Sequence, residues 1–231
     1  MISFEQFSLN LSDLRERIET SCLECGRSPD EITLLPVTKN WPVEAVKYCK
    51  QAGILRVGEN KVQECIGKKA QLDGVHWELI GHLQSNKTTQ ALSHFSRIQT
   101  LDSIKLIRKV QTVSQRIGQN TSILLQINSG NDPAKYGFKV EEAERALEEV
   151  FNSPNLTVDG LMTIAPYVPG DLSVAGEAFR KLAELRDSLC ASHGLDLNEL
   201  SMGMTDDLSE AIKWGSTMIR VGSALFGARS N

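Results

Sequence analysis

A chain of 231 residues with 25 Lys and Arg against 29 Asp and Glu carries a formal charge of −4. It is long enough for one domain, or two small ones, around an ample core, and its mild acidity gives no electrostatic reason to expect nucleic acid as a partner. No apolar run reaches membrane-spanning length.

The N-terminus, MISFEQFSLNLSDLRERIE, shows charge and helical periodicity instead of a signal peptide's apolar core. The expected location is the cytoplasm. Five scattered cysteines, at 22, 25, 49, 65 and 190, agree with a reducing compartment. Cys22 and Cys25 form a CxxC, open to a redox or zinc reading. No second CxxC or paired histidine completes a zinc site, and both fall near the end of the first predicted helix.

Phe4, Phe7, Leu11, Leu14 and Ile18 recur at steps of three and four, which predicts an amphipathic helix ended near Gly26 and Pro29. Ile32 to Lys39 reads as a buried strand that stops in a lysine. Pro42 opens a second helix closing at Gly53. Ile54 to Val57 is a short apolar run before Gly58-Glu59-Asn60. A helix from Lys61 ends before Gly74, and Val75 to Ile80 is a strand running into Gly81-His82. Ser85 starts a short helix, and Arg97 to Leu101 is a weak strand. Asp102 is a suitable N-cap for a helix carrying Ile104, Ile107, Val110, Val113 and Ile117. Strand Ile123–Ile127, helix Val140–Phe151, a strand within Leu156–Ile164, helix Gly176–His193 and a brief strand Leu200–Met202 follow. Asp206 can cap a helix through Trp214, and Met218 to Val221 is the last strand.

Eight strands separated by helical segments imply a parallel sheet with helices outside. The count suits a closed (β/α)8 barrel, a TIM barrel, as a single domain over residues 1–231. A doubly wound open sheet is the rival, and no GxGxxG fingerprint supports it. Nine residues follow Gly222, too few for a good eighth helix, so the N-terminal helix is expected to pack on the barrel and cover that gap.

Barrel chemistry sits at the C-terminal strand ends. Those ends gather Lys39, Gly58-Glu59-Asn60, Gly81-His82, Asp102, Asn128, Thr163, the stretch SMGMT from Ser201 to Thr205, and Arg220 to Ser223. Each alone is ordinary turn chemistry; together they mark one rim. A strand-end lysine is either solvated or, if buried, pushed toward its neutral nucleophilic form, which condenses with carbonyls. The loops after strands seven and eight commonly bind phosphate. Here they offer the Ser201, Thr205 and Ser223 hydroxyls and backbone N–H groups at Gly203 and Gly222. A ligand bearing both aldehyde and phosphate fits, and pyridoxal phosphate is one that barrels bind.

The motifs LLPVTK, VGENKVQE, HWELIGHLQSNK, GLMTI and LSMGMTDDLSEAIKWGSTMIRVGSALFG resemble those of the pyridoxal phosphate homeostasis protein family. That family is a single-barrel relative of the barrel domain in alanine racemases. The resemblance runs from the first strand to the last and implies a Schiff-base lysine at Lys39. It sets Asn60 and the backbone near Ile80 along the ring, Ser201, Thr205, Gly222 and Ser223 at the phosphate, and Arg220 opposite the pyridine nitrogen. It implies a task in cofactor supply and amino-acid and keto-acid balance, with transient contact to enzymes that use the cofactor. The lack of a second domain favours a monomer.

A guanidinium has only donors and keeps its proton. Facing the pyridine nitrogen it would leave that nitrogen unprotonated and the ring a poor electron sink, so little turnover is expected. The other reading of Arg220 has it in solvent or paired with Asp206 or Asp207. A low-activity amino-acid racemase is the alternative function, with Lys39 serving one face and Tyr136 or Tyr167 standing in on the other. A different class is suggested by Gly81 to Thr88, GHLQSNKT, which follows a strand and ends in Lys-Thr like a nucleotide-binding P-loop. Asn86 replaces that motif's second glycine.

Overall fold

The computed structural model describes residues 1–227. Helix α1 (Phe4–Glu24) precedes strand β1 (Thr33–Pro36). Then come α2 (Val43–Gln51), β2 (Arg56–Glu59), α3 (Val62–Lys69), β3 (His76–Leu79), α4 (Thr88–His94) and β4 (Arg97–Leu101). The second half runs α5 (Ile104–Ile117), β5 (Thr121–Gln126), α6 (Ala143–Phe151), β6 (Leu156–Met162), α7 (Ser173–His193), β7 (Glu199–Ser201), α8 (Leu208–Lys213), β8 (Met218–Val221) and α9 (Ser223–Phe226).

The eight strands are parallel, in the order β1-β8-β7-β6-β5-β4-β3-β2. The two ends of that sheet meet just beyond β1. Val37 N–H donates to Val221 O at 2.8 Å and Thr38 N–H to Gly58 O at 3.0 Å, so successive residues bond to β8 and to β2. The sheet thereby closes on itself, as the alternation predicts, and buried strand edges are satisfied.

Helix α1 covers the outer gap beside the four-residue α9. Phe7 stacks on Phe226 (centroids 5.6 Å apart) and lies 5.7 Å from Tyr48. Asn10 Nδ2 donates to Leu225 O at 3.0 Å, and Arg17 Nη2 to Thr205 O at 2.7 Å. The first helix therefore also braces the loop after β7. Cys22 is buried on its inner face, and Cys25 forms its C-cap.

The main apolar core lies between strands and helices, while Leu35, Val37, Ile80 and Met218 form a separate cluster inside the barrel. Beside that cluster runs a polar chain. Arg56 and Arg97 approach Glu78 at 3.2 and 4.0 Å, and Arg97 also pairs with Asp159 (3.1 Å) and with Glu199. Gln99 Nε2 donates to Glu78 Oε2 at 2.5 Å. Paired in this way, charges stay below the strands without unmet desolvation cost.

Two expected helix starts are corrected. The N-cap of α5 is Ser103, whose hydroxyl accepts from Leu106 N–H, and Asp102 instead bonds His82. The helix expected from Asp206 begins at Leu208 after Asp207, whose carboxylate turns back to accept from Met204 N–H at 2.6 Å. In both cases a neighbouring acid reached a partner outside its own helix.

Candidate functional site

Lys39 lies three residues beyond the end of β1 and is half-buried. It lines a cleft of about 180 Å³ together with Thr205, Asp206, Arg220, Gly222 and Ser223. Of the residues expected at the site, the structure thus brings together Lys39, Thr205, Arg220, Gly222 and Ser223. The Thr205 and Ser223 hydroxyls, from the loops after β7 and β8, stand 3.3 Å apart. Gly203 shapes the first of these loops. Its φ is +95°, which side-chain-bearing residues rarely adopt, and a Cβ there would lie 2.5 Å from the Ala211 Cβ.

Arg220 is only 4 % exposed. Its Nη1 donates to Ser201 Oγ and its Nη2 to Thr163 O, each at 2.7 Å. Burial lowers its pKa to about 10, opposed by the Asp207 charge. At neutral pH it therefore remains a cation, and neither solvent nor a direct ion pair with Asp206 or Asp207 accounts for its placement.

Ser201 differs from its expected position. The side chain is fully buried inside the barrel, where its hydroxyl donates to Gln99 Oε1 at 2.6 Å and accepts from Arg220. Residues in a strand alternate faces, and Ser201, the last residue of β7, points inward behind Arg220. Ile80 lies in the inner cluster next to Val37. Asn60 lines a second, larger hollow of about 350 Å³ with His82, Gln84 and Lys87. The larger hollow is not the one that holds Lys39; the amine and the converging hydroxyls make the smaller cleft the chemical centre.

Sequence reasoning missed a buried pair directly behind Lys39. Lys68 on α3 donates to Thr38 O at 2.7 Å and pairs with Glu59, while Thr38 Oγ1 donates to Glu59 Oε1 at 2.7 Å. Burial pushes the Glu59 carboxyl up, and Lys68 and Thr38 pull it back. On the other side of Lys39, the Asn40 N–H donates to Glu64 Oε2 at 2.8 Å, with Asn40 held at φ +61°. Helix α3 thus fixes the backbone on both sides of the lysine. A lysine in a last helical turn reads as a solvated charge; only its spacing of nine residues from Glu59 hinted otherwise.

Tyr136, 60 % exposed, stacks on the His82 ring at 4.0 Å. His82 Nδ1 lies 2.8 Å from Asp102 Oδ2. Tyr167 is exposed on the loop after β6. Among the described residues no helix is long and apolar enough to cross a membrane, and no cluster of His, Cys, Asp and Glu could hold a metal ion.

Residues 9–230 match the family described as alanine racemase, N-terminal domain. A protein of Haemophilus influenzae named pyridoxal phosphate homeostasis protein is 38 % identical over 226 residues, covering 96 % of this chain and 95 % of its own. The structure of PipY from Synechococcus elongatus PCC7942 with PLP bound superposes with a TM-score of 0.83 at 30 % identity, covering 96 % of this chain and 100 % of PipY. Alanine racemase of Clostridium difficile 630 shares the fold at a TM-score of 0.82 and 15 % identity, covering 98 % of this chain and 58 % of that one. The chain is a (β/α)8 barrel of the alanine racemase N-terminal type and belongs to the pyridoxal phosphate homeostasis protein family.

Proposed function

We propose that this chain is one cofactor-holding barrel unit that binds pyridoxal 5'-phosphate at the barrel mouth, covalently through Lys39 as a Schiff base. The observation that carries the reading is that the Lys39 amine and the Thr205–Ser223 hydroxyl pair open onto the same cleft. An amine answers an aldehyde, and hydroxyls with loop N–H groups answer a phosphate, so the donor set fits the group. Relatives named pyridoxal phosphate homeostasis protein and a PLP-bound PipY support the same ligand.

In this reading Thr205, Gly222 and Ser223 hold the phosphate, and Asn60 and Ile80 flank the ring. Arg220 faces the pyridine nitrogen as a donor, with Ser201 and Thr163 setting its plane. Bound pyridoxal phosphate supplies an electrophilic carbon and an electron-withdrawing ring. A guanidinium that keeps its proton cannot protonate the ring nitrogen, so Arg220 leaves that withdrawal weak.

The chain accordingly acts in intracellular cofactor supply and amino-acid and keto-acid balance, in the cytoplasm, with little turnover of its own. It works as a monomer that meets cofactor-using enzymes transiently. Borohydride reduction followed by peptide mapping tests the reading: the adduct is expected on Lys39, and an adduct on another lysine would overturn it.

The second reading is a slow amino-acid racemase. Tyr136 favours it, because that phenol sits on the rim against an Asp102-oriented imidazole. Exchange of amino-acid α-protons in heavy water at ordinary enzymatic rates would decide for the racemase.

A further inference from the structure

We propose that the larger hollow at the barrel mouth is a second ligand site, for a small molecule with two anionic groups or one phosphate. It lies between the start of α3 and the 82–87 segment. Asn60, Lys61 and Gln63 face it from one side, and His82, Gln84 and Lys87 from the other. Its volume of about 350 Å³ falls within the range of small-molecule sites.

Part of the lining is polar and uncommitted, while Gln63 Nε2 donates to Gln90 Oε1 at 3.1 Å. Among the described residues the Lys87 ammonium and the Gln84 side-chain amide have no protein partner. Asp102 bonds Nδ1 of His82 and Tyr136 packs on the ring. The imidazole is thereby held in one orientation, with Nε2 uncommitted. Lys61 adds a second positive charge, partly offset by Glu64 at 3.6 Å; Asp102 is engaged with His82. Val62 is the one apolar contributor. Charged side chains along one helix usually make a solvated face. Here two separate segments converge on one concavity, and donors outnumber acceptors. An anion is the ligand that such a set recognises.

The same segment, Gly81 to Thr88, carries the P-loop-like pattern in sequence. In the structure Ser85–Lys87 is a 3-10 turn and the helix after it has seven residues. The segment therefore lacks the long helix start of a nucleotide cradle, and side chains would do the binding.

The hollow is mechanically joined to the cleft that holds Lys39. Gly81 lies against the Asn60 backbone so closely that a Cβ would come within 2.3 Å of Asn60 O. Thr100 Oγ1 pins Gly81 O at 2.8 Å. Asn60 follows Glu59, which shares Lys68 with Thr38 next to Lys39.

The test follows the His82 ring by NMR in the full chain, assigned with His82→Gln. Inorganic phosphate and succinate are titrated separately against chloride at matched ionic strength. A saturable shift with phosphate or succinate is expected, weakened about tenfold in Lys87→Gln, for loss of one charge-assisted contact. It should persist in Lys39→Ala and Thr205→Ala, so it stands or falls apart from the cofactor reading. Response to phosphate alone, succinate alone or both supports the site and identifies the group taken. No saturable shift beyond chloride overturns the proposal. So does a shift that survives Lys87→Gln intact, or one abolished by Thr205→Ala, which would place the anion in the other cleft. Lys87 is only partly buried and unpartnered, so Lys87→Gln is expected to fold, and an unfolding midpoint in urea equal to the parent's checks that.

Discussion

Lys68 Nζ donates to the carbonyl oxygen of Thr38 at 2.7 Å, one peptide link before Lys39, while also paired with the buried carboxyl of Glu59. A cation from the last turn of a helix thus decides where the strand-end lysine sits. Its position depends on a partner at both ends, because neither charge tolerates burial alone.

Lys68→Met removes the cation and strands Glu59 without compensation. A loss of about 3–5 kcal/mol is expected from breaking a buried pair on one side, measured by urea unfolding. The double variant Lys68→Met/Glu59→Leu should recover much of it, since no buried charge remains. Equal instability of single and double variants would show that the pair is not the source.

Ser201→Ala takes an acceptor from Arg220 and a donor from Gln99. Each is buried, and an unmet buried polar group costs about 1–3 kcal/mol. Stability should fall by that order while covalent capture of pyridoxal phosphate persists. Thr205→Ala should do the reverse, leaving stability near the parent's and weakening retention of the cofactor in equilibrium dialysis.

Lys39→Ala should abolish the visible imine band and borohydride fixation of the cofactor. The unfolding midpoint of the free protein should change little, because the residue is half-buried on the cleft wall and not in the core. Absorption spectra and denaturation curves of the same preparation check both halves.

Asp207 gives a pH dependence whose sign can be worked out. Burial raises its carboxyl, with the Met204 N–H and Arg220 opposing. The folded state then binds a proton more tightly than the unfolded chain does. Its contribution to stability is full below the ordinary carboxylate range and is lost as pH rises through the raised value. Asp207→Asn keeps an oxygen for the Met204 N–H and removes the titration. The parent's stability relative to this variant should therefore decline with rising pH across that window. A difference that is flat with pH, measured in denaturant titrations, would contradict the shift.

The alternation of apolar runs and amphipathic segments determined the barrel, since strands feeding helices can bury both faces of a sheet only as parallel units. The lysine ending an apolar run, the Gly203 turn and the paired hydroxyls after β7 and β8 were legible for the same reason: each is a local departure from what its element requires. Helix α1 was legible as a cover for the barrel because Phe4, Phe7 and Leu11 recur on one face and need a surface to pack against.

Tertiary structure alone decided the rest. Whether Ser201 faces phosphate or Arg220 depends on strand parity at the end of a three-residue strand, and one residue of register exchanges the faces. Whether Asp102 caps its helix or orients His82 depends on a strand end 20 residues away. Lys68 became a buried anchor because the fold brings Glu59 and the Thr38 carbonyl to it. A charge's place, inside or in water, is set by the partners waiting there, and a linear sequence does not display those partners.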